Sequence, residues 1–175
     1  AMGVIGFNIY REDLTNVYTM IASVPFANLS QYMDMDPNAD PNATTKRYKI
    51  SAVDSCSNES AKSNYHNTIY IVSSGNGQFS WNQLYSIENS PNPVNQYILE
   101  RDDYNTGNWQ QVTTTAGTQF NVNDVNFATY QPTANWRVTT AWNISCTPTA
   151  REANGTQGAI VKSKSNITNN RVVGI

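Results

Sequence analysis

The feature that most constrains this chain is an internal repeat with a period near 90 residues. Phe7-Asn-Ile-Tyr-Arg-Glu-Asp13 matches Tyr97-Ile-Leu-Glu-Arg-Asp-Asp103 at an offset of 90. Tyr18 and Ile21 match Trp109 and Val112 at 91, and Gln31-Tyr32 with Asp36 matches Gln119-Phe120 with Asp124 at 88. Tyr48-Lys-Ile-Ser-Ala-Val53 matches Trp136-Arg-Val-Thr-Thr-Ala141 at 88, and Cys56 matches Cys146 at 90. Five ordered blocks at one near-constant offset leave little room for coincidence. The small drifts fall between blocks, where loops absorb insertions.

Each block has the pattern of a strand. Phe7 and Ile9 alternate with polar neighbours, as do Tyr97 and Leu99, Tyr48 and Ile50, and Trp136 and Val138. Further strands are expected over Thr68 to Ser73 and Gln78 to Leu84. Turn-forming residues separate the blocks: Asp36 to Asn42, Ser74 to Gly77, Ser90 to Pro93 and Asn105 to Gly107. No window of helical length keeps apolar groups at helical spacing. The pattern predicts an all-β chain of antiparallel sandwiches. Charged residues make up only 14%, while Asn, Thr, Ser and Tyr abound, a composition that suits secreted β proteins.

Asn8-Ile-Tyr-Arg11, an aromatic strand, and then Tyr48-Lys-Ile-Ser-Ala-Val-Asp-Ser-Cys-Ser-Asn-Glu-Ser60 together resemble fibronectin type III domains. The likeness is to tandem copies in large secreted and surface-attached bacterial proteins. Trp81 stands where that family has its B-strand tryptophan, and Tyr48 where it has a strand-F tyrosine that ties down a corner. The second copy has Trp136 there, and an indole only donates, so its corner bond must differ. The resemblance implies two immunoglobulin-like sandwich repeats. Residues 1–66 would be a partial repeat holding strands C to G, 67–165 a complete repeat, and 166–175 a linker or tail. The first repeat would lack strands A and B, keeping only E near Gln31 to Met33. Its apolar face is therefore expected to be completed by something outside its own fold. Cys56 and Cys146, at equivalent positions of successive repeats, are expected not to bridge each other.

No catalytic constellation is present. His66 is the only histidine, which leaves Ser-His-Asp and Cys-His arrangements one candidate base, in an inter-repeat stretch. Glu12-Asp13 and Asp102-Asp103 are adjacent acids at equivalent positions, read as solvated strand ends rather than a glycosidase pair. No cofactor is expected and no metal is assigned. Asp34-x-Asp36-x-Asn38-x-Asp40 does place alternate oxygen ligands in one loop, a spacing that suits calcium. Ala39 and Thr45, however, stand where an EF-type loop needs Gly and Glu, so a polar turn competes.

The net charge of −2 comes without any basic run, which gives nucleic acid no electrostatic footprint. No apolar stretch approaches the ~20 residues of a membrane span, so membrane insertion is not expected. An export signal is expected to lie outside these residues. The resulting expectation is a non-catalytic, extracellular structural or interaction module, a spacer or display domain within a larger secreted or surface-attached protein. Its partners would be other domains of the same polypeptide or another protein. The alternative is an accessory module recognising carbohydrate or a host protein through exposed rings, with Tyr104, Trp109, Tyr130 and Trp142 as the candidate surface.

Overall fold

In the computed structural model, which describes residues 3–26, 32–83, 94–146 and 160–169, the alternating segments pair as antiparallel strands. The described residues fall into two compact units, one up to Thr68 and the other from Ile69 onward.

The first unit is a four-stranded sheet. Its strands are β1 (Val4–Leu14), β2 (Val17–Pro25), β3 (Arg47–Asp54) and β4 (His66–Asn67), in the order β2-β1-β3-β4. A tight turn at Thr15-Asn16, with Asn16 at φ 62°, joins β1 to β2. Phe7 faces Ala52, Ile9 faces Ile50 and Arg11 faces Tyr48, so Phe7, Ile9, Tyr48 and Ile50 lie on one surface of the sheet. A single 3-10 turn, Pro37–Ala39, follows Tyr32 to Asp36. The E strand expected near Gln31 to Met33 does not form among the described residues: Tyr32 to Asp36 pairs with no strand, and Gln31 lies outside them.

The second unit closes as a sandwich. Its strands are β5 (Ile71–Ser73), β6 (Gln78–Trp81), β7 (Val94–Asp102), β8 (Gln110–Ala116), β9 (Asn121–Asn123), β10 (Asn135–Cys146) and β11 (Ile160–Lys164). One sheet runs β11-β10-β7-β8 and the other β5-β6-β9. Leu84 and Ser90 to Pro93 lie outside the described residues. Phe79 and Trp81 of β6 project against Tyr97 of β7 and Trp136 of β10, with ring centroids 4.9 Å apart for Trp81–Tyr97 and 5.3 Å for Phe79–Trp136. Leu99 and Val138 complete a core in which Phe79, Trp136 and Val138 are fully buried. The helical turn α1 (Phe127–Tyr130) adds Phe127 to this cluster, 5.2 Å from Trp136. Gly77 makes that approach possible. At φ +92°, a Cβ on it would stand 2.9 Å from the Phe127 Cβ.

Both units use the same register. Tyr97 faces Thr140, Leu99 faces Val138 and Arg101 faces Trp136, each pair offset by 90 and 88 residues from its counterpart in the first sheet. Residues 166–169, read from sequence as the start of a linker or tail, are instead part of the sandwich edge. Thr168 exchanges backbone hydrogen bonds with Trp136 at 2.7 and 2.9 Å. The reason is local: an asparagine amide and backbone groups continue the pairing past the end of β11.

Trp81→Ala should lower the unfolding free energy by about 3–5 kcal/mol, since it empties a buried ring site. Urea unfolding checks this, and an unchanged midpoint would contradict the placement of β6 over β7.

Candidate functional site

The four candidate ring residues all come from the second unit but do not form one exposed platform. Tyr104 is open to solvent, 69% exposed, in the turn after β7. Tyr130, in α1, is half-buried beneath the Arg101 guanidinium, whose carbon lies 3.7 Å above the ring. Trp109 is covered by Arg137, at 3.9 Å. Arg101 and Arg137 lie in neighbouring strands on opposite faces of the sheet, because Arg101 is opposite Trp136 and next to Arg137's partner Glu100. Trp142 sits at the other end of the same ladder, opposite Val94, with its indole N–H donating to Thr140 Oγ1 at 3.0 Å. Tyr130 and Trp109 thus pack under guanidinium groups, and Trp142 is tied to its own strand.

The acidic loop Asp34, Asp36, Asn38, Asp40 is organised by an arginine. The Arg11 guanidinium donates to both oxygens of Asp34, at 3.2 and 3.0 Å, and to Asp36 Oδ2 at 2.9 Å. Asp36 Oδ1 accepts the Asn38 backbone N–H, and Asp40 Oδ1 accepts that of Asn42. Burial pulls the Arg11 pKa down, but its bonds to Asp36, Asp34 and Asp13 more than offset this and raise it. Asp36 is held below the usual carboxylate range by the Asn38 backbone N–H and then by Arg11. A fixed cation thus occupies the acidic loop. Among the described residues, no cluster of three or more His, Cys, Asp or Glu side chains is arranged to hold a metal ion.

The second unit repeats this device. Arg101 pairs with Asp103 and, at 2.7 Å, with Asp124, whose side chain is fully buried. The corner bond also becomes clear. Tyr48 Oη donates to Asp34 Oδ2 at 3.0 Å, and the Trp136 indole N–H donates to Asp124 Oδ2 at 2.9 Å. Because the acceptor is a carboxylate in both units, a donor-only indole serves where the first unit has a phenol.

The adjacent acids read as solvated strand ends turn out to be loop closures. Glu12 Oε1 accepts the Asn16 backbone N–H at 2.7 Å. Asp102 accepts backbone N–H groups of Thr106 at 3.0 Å and Gly107 at 2.6 Å. A chain leaving a strand and turning back has unpaired N–H groups, and a carboxylate at the strand end collects them. His66 sits half-buried in β4 opposite Tyr48.

The segment after β3 is equally structural. Asp54 Oδ1 accepts the N–H groups of Cys56 and Asn58, with Ser57 at φ 65°. This aims Glu59 back over the sheet, where it receives hydrogen bonds from the Tyr10 and Ser51 hydroxyls, with Lys62 4.0 Å above the Tyr10 ring. Cys56 is exposed, and the Cys146 side chain lies outside the described ones. One face of the first sheet is thereby covered by its own chain.

The opposite face is covered only in part among the described residues, by Phe26 stacked on Phe7 and by Asp34 bonded to Tyr48. Ile50 is 42% exposed, whereas its register counterpart Val138 is fully buried. Between this face and the loop lies an open groove of about 510 Å³, lined by Ile9, Tyr32, Met33, Ala39, Pro41 and Tyr48. Met33 is 75% exposed on its rim. Sequence reasoning missed Arg11 and Arg101, although an Arg-x-Asp triplet recurs in both blocks. No family model matches the chain, and no curated protein matches it significantly.

Burial pushes the Asp102 carboxyl up, but backbone N–H groups of Thr106, Gly107 and Tyr104 outweigh it and hold the pKa below the ordinary value. A depressed carboxylate stabilises the fold fully above its unfolded pKa, near 3.9, and that contribution fades as pH falls through the folded value. Asp102→Asn should therefore lower stability at pH 7 and flatten its decline below pH ~4. Thermal unfolding from pH 7 to pH 2 checks this, and parallel profiles for variant and wild type would contradict it.

Proposed function

We propose that the chain is a non-catalytic extracellular module, built from two fibronectin-type-III-like repeats, that spaces or displays other parts of a secreted or surface-attached protein. The observation that carries this reading is the use made of the chemically capable side chains. The arginines, the paired acids, Glu59 and three of the four candidate rings are engaged in holding turns, corners and strand ends. A fold whose polar chemistry is directed at its own loops is suited to persistence rather than turnover.

The strand orders add support. A three-stranded sheet β5-β6-β9 packed on β11-β10-β7-β8 is the arrangement the resemblance implies for strands A-B-E on G-F-C-C′. The order β2-β1-β3-β4 agrees with C′-C-F-G of a partial repeat. The shared registers favour two related units over two unrelated sheets.

Antibodies raised against the chain should label intact, unpermeabilised source cells or their culture medium. Label that appears only after lysis would contradict an extracellular role. On a glycan array the chain should remain unbound. Binding abolished by Tyr104→Ala would replace display with sugar recognition.

A further inference from the structure

We propose that Asn76 is a self-modifying site: the turn between β5 and β6 directs the Gly77 backbone nitrogen onto the Asn76 side-chain amide, which loses ammonia and ends as aspartate or isoaspartate. This rests on the geometry of the second unit alone and not on the display reading.

The turn fixes the reacting groups. Asn76 Oδ1 accepts the Gln78 backbone N–H at 3.1 Å, an arrangement that folds the side chain back across the peptide bond between residues 76 and 77. The Gly77 N–H donates to no group among the described residues. A glycine has no side chain to shield that nitrogen. Asn76 itself is exposed, so water reaches its amide.

The same turn receives the charge that the attack creates. When the nitrogen adds to Cγ, an electron pair moves onto Oδ1. The Gln78 N–H already points at that oxygen, and Ser74 Oγ lies 2.7 Å from it. Ser74 Oγ also lies 2.9 Å from the Gln78 carbonyl oxygen, and its single proton turns to Oδ1 as charge gathers there. Donors already in place around a developing oxyanion lower the barrier to acyl transfer.

The steps balance with water alone. The Gly77 N–H gives its proton to hydroxide as the N–Cγ bond forms. The bond from Cγ to Nδ2 then breaks, and ammonia leaves with a proton taken from water. Water adding to the resulting succinimide at Cγ gives aspartate at this position. Water adding at the main-chain carbonyl gives isoaspartate, which routes the backbone through an extra methylene.

The fold holds this labile pair in place. A Cβ on residue 77 would stand 2.9 Å from the Phe127 Cβ and 3.0 Å from the Asp124 carbonyl oxygen, so glycine is required there. The extra methylene of isoaspartate falls between bonds that set the hairpin. Ser74 N–H donates to the Gln78 carbonyl at 3.0 Å, and the Gly77 carbonyl accepts the Asp124 N–H at 2.9 Å. Modification therefore loosens β5 and β6, which carry Ile71, Phe79 and Trp81 into the core.

The test follows the full chain by peptide mapping and mass spectrometry during incubation in mildly alkaline buffer. Asn154-Gly155, the other Asn-Gly pair, serves as a reference within each sample. The peptide holding Asn76 is expected to exchange –NH2 for –OH, with isoaspartate among the products. Ser74→Ala should slow this about tenfold in the folded chain, the worth of one hydrogen bond to the oxyanion, and leave the rate at Asn154 unchanged. Ser74→Thr, which keeps the hydroxyl, should restore the wild-type rate, and in concentrated urea all three chains should react alike. An Asn76 that stays intact in the folded chain while reacting in urea would overturn the proposal. Equal rates at Asn76 for the folded wild type and Ser74→Ala would overturn it as well.

Discussion

The structure depends on one requirement: a β-sheet that alternates apolar and polar residues must cover its apolar face. Each Å² left wet forgoes roughly 25 cal/mol, so four large side chains amount to several kcal/mol, comparable to the net stability of a small domain. The second unit meets the requirement with β5, β6 and β9, which bury Tyr97, Leu99, Trp136 and Val138 to 2% exposure or less. The first unit presents the same register with Ile50 at 42% exposure. Backbone pairing alone therefore sets neither unit's state; what lies across the face decides it.

The arginine clusters are the second layer of the design. Burying a guanidinium is tolerable only when carboxylates surround it, and removing one member of such a group typically costs ~3–5 kcal/mol. Arg11 and Arg101 each meet that condition with the acid two residues further on and with acid from a loop more than 20 residues away. Each cluster therefore ties the end of a central strand to the loop entering the next strand. The Tyr48 and Trp136 bonds attach the neighbouring strand to the same carboxylates. Charge and corner form one unit of structure, which explains why tyrosine and tryptophan are interchangeable there.

Much of this was legible in the sequence. Alternation at Tyr97, Leu99, Trp136 and Val138 gave the strands and their buried side, and the offsets of 88 to 91 anticipated which residues hold corresponding places in the two ladders. What sequence could not supply were facts fixed by distant loops. The spacing of Asp34, Asp36, Asn38 and Asp40 suits a cation, but nothing local reveals that the cation is Arg11. Rings such as Trp109 and Tyr130 look available until Arg137 and Arg101 are found stacked on them.

The central claim is that coverage of the apolar face, rather than strand pairing, separates the two units. Native-state hydrogen exchange on the isolated chain measures this residue by residue. The account predicts that amides of Tyr97 to Arg101 and Trp136 to Thr140 exchange only with global unfolding of their unit. Those of Phe7 to Arg11 and Tyr48 to Ala52, in the same ladders, should open orders of magnitude faster. Equal protection in the two sets would contradict it, because the first sheet would then be as stable with Ile50 exposed as the second is with Val138 buried.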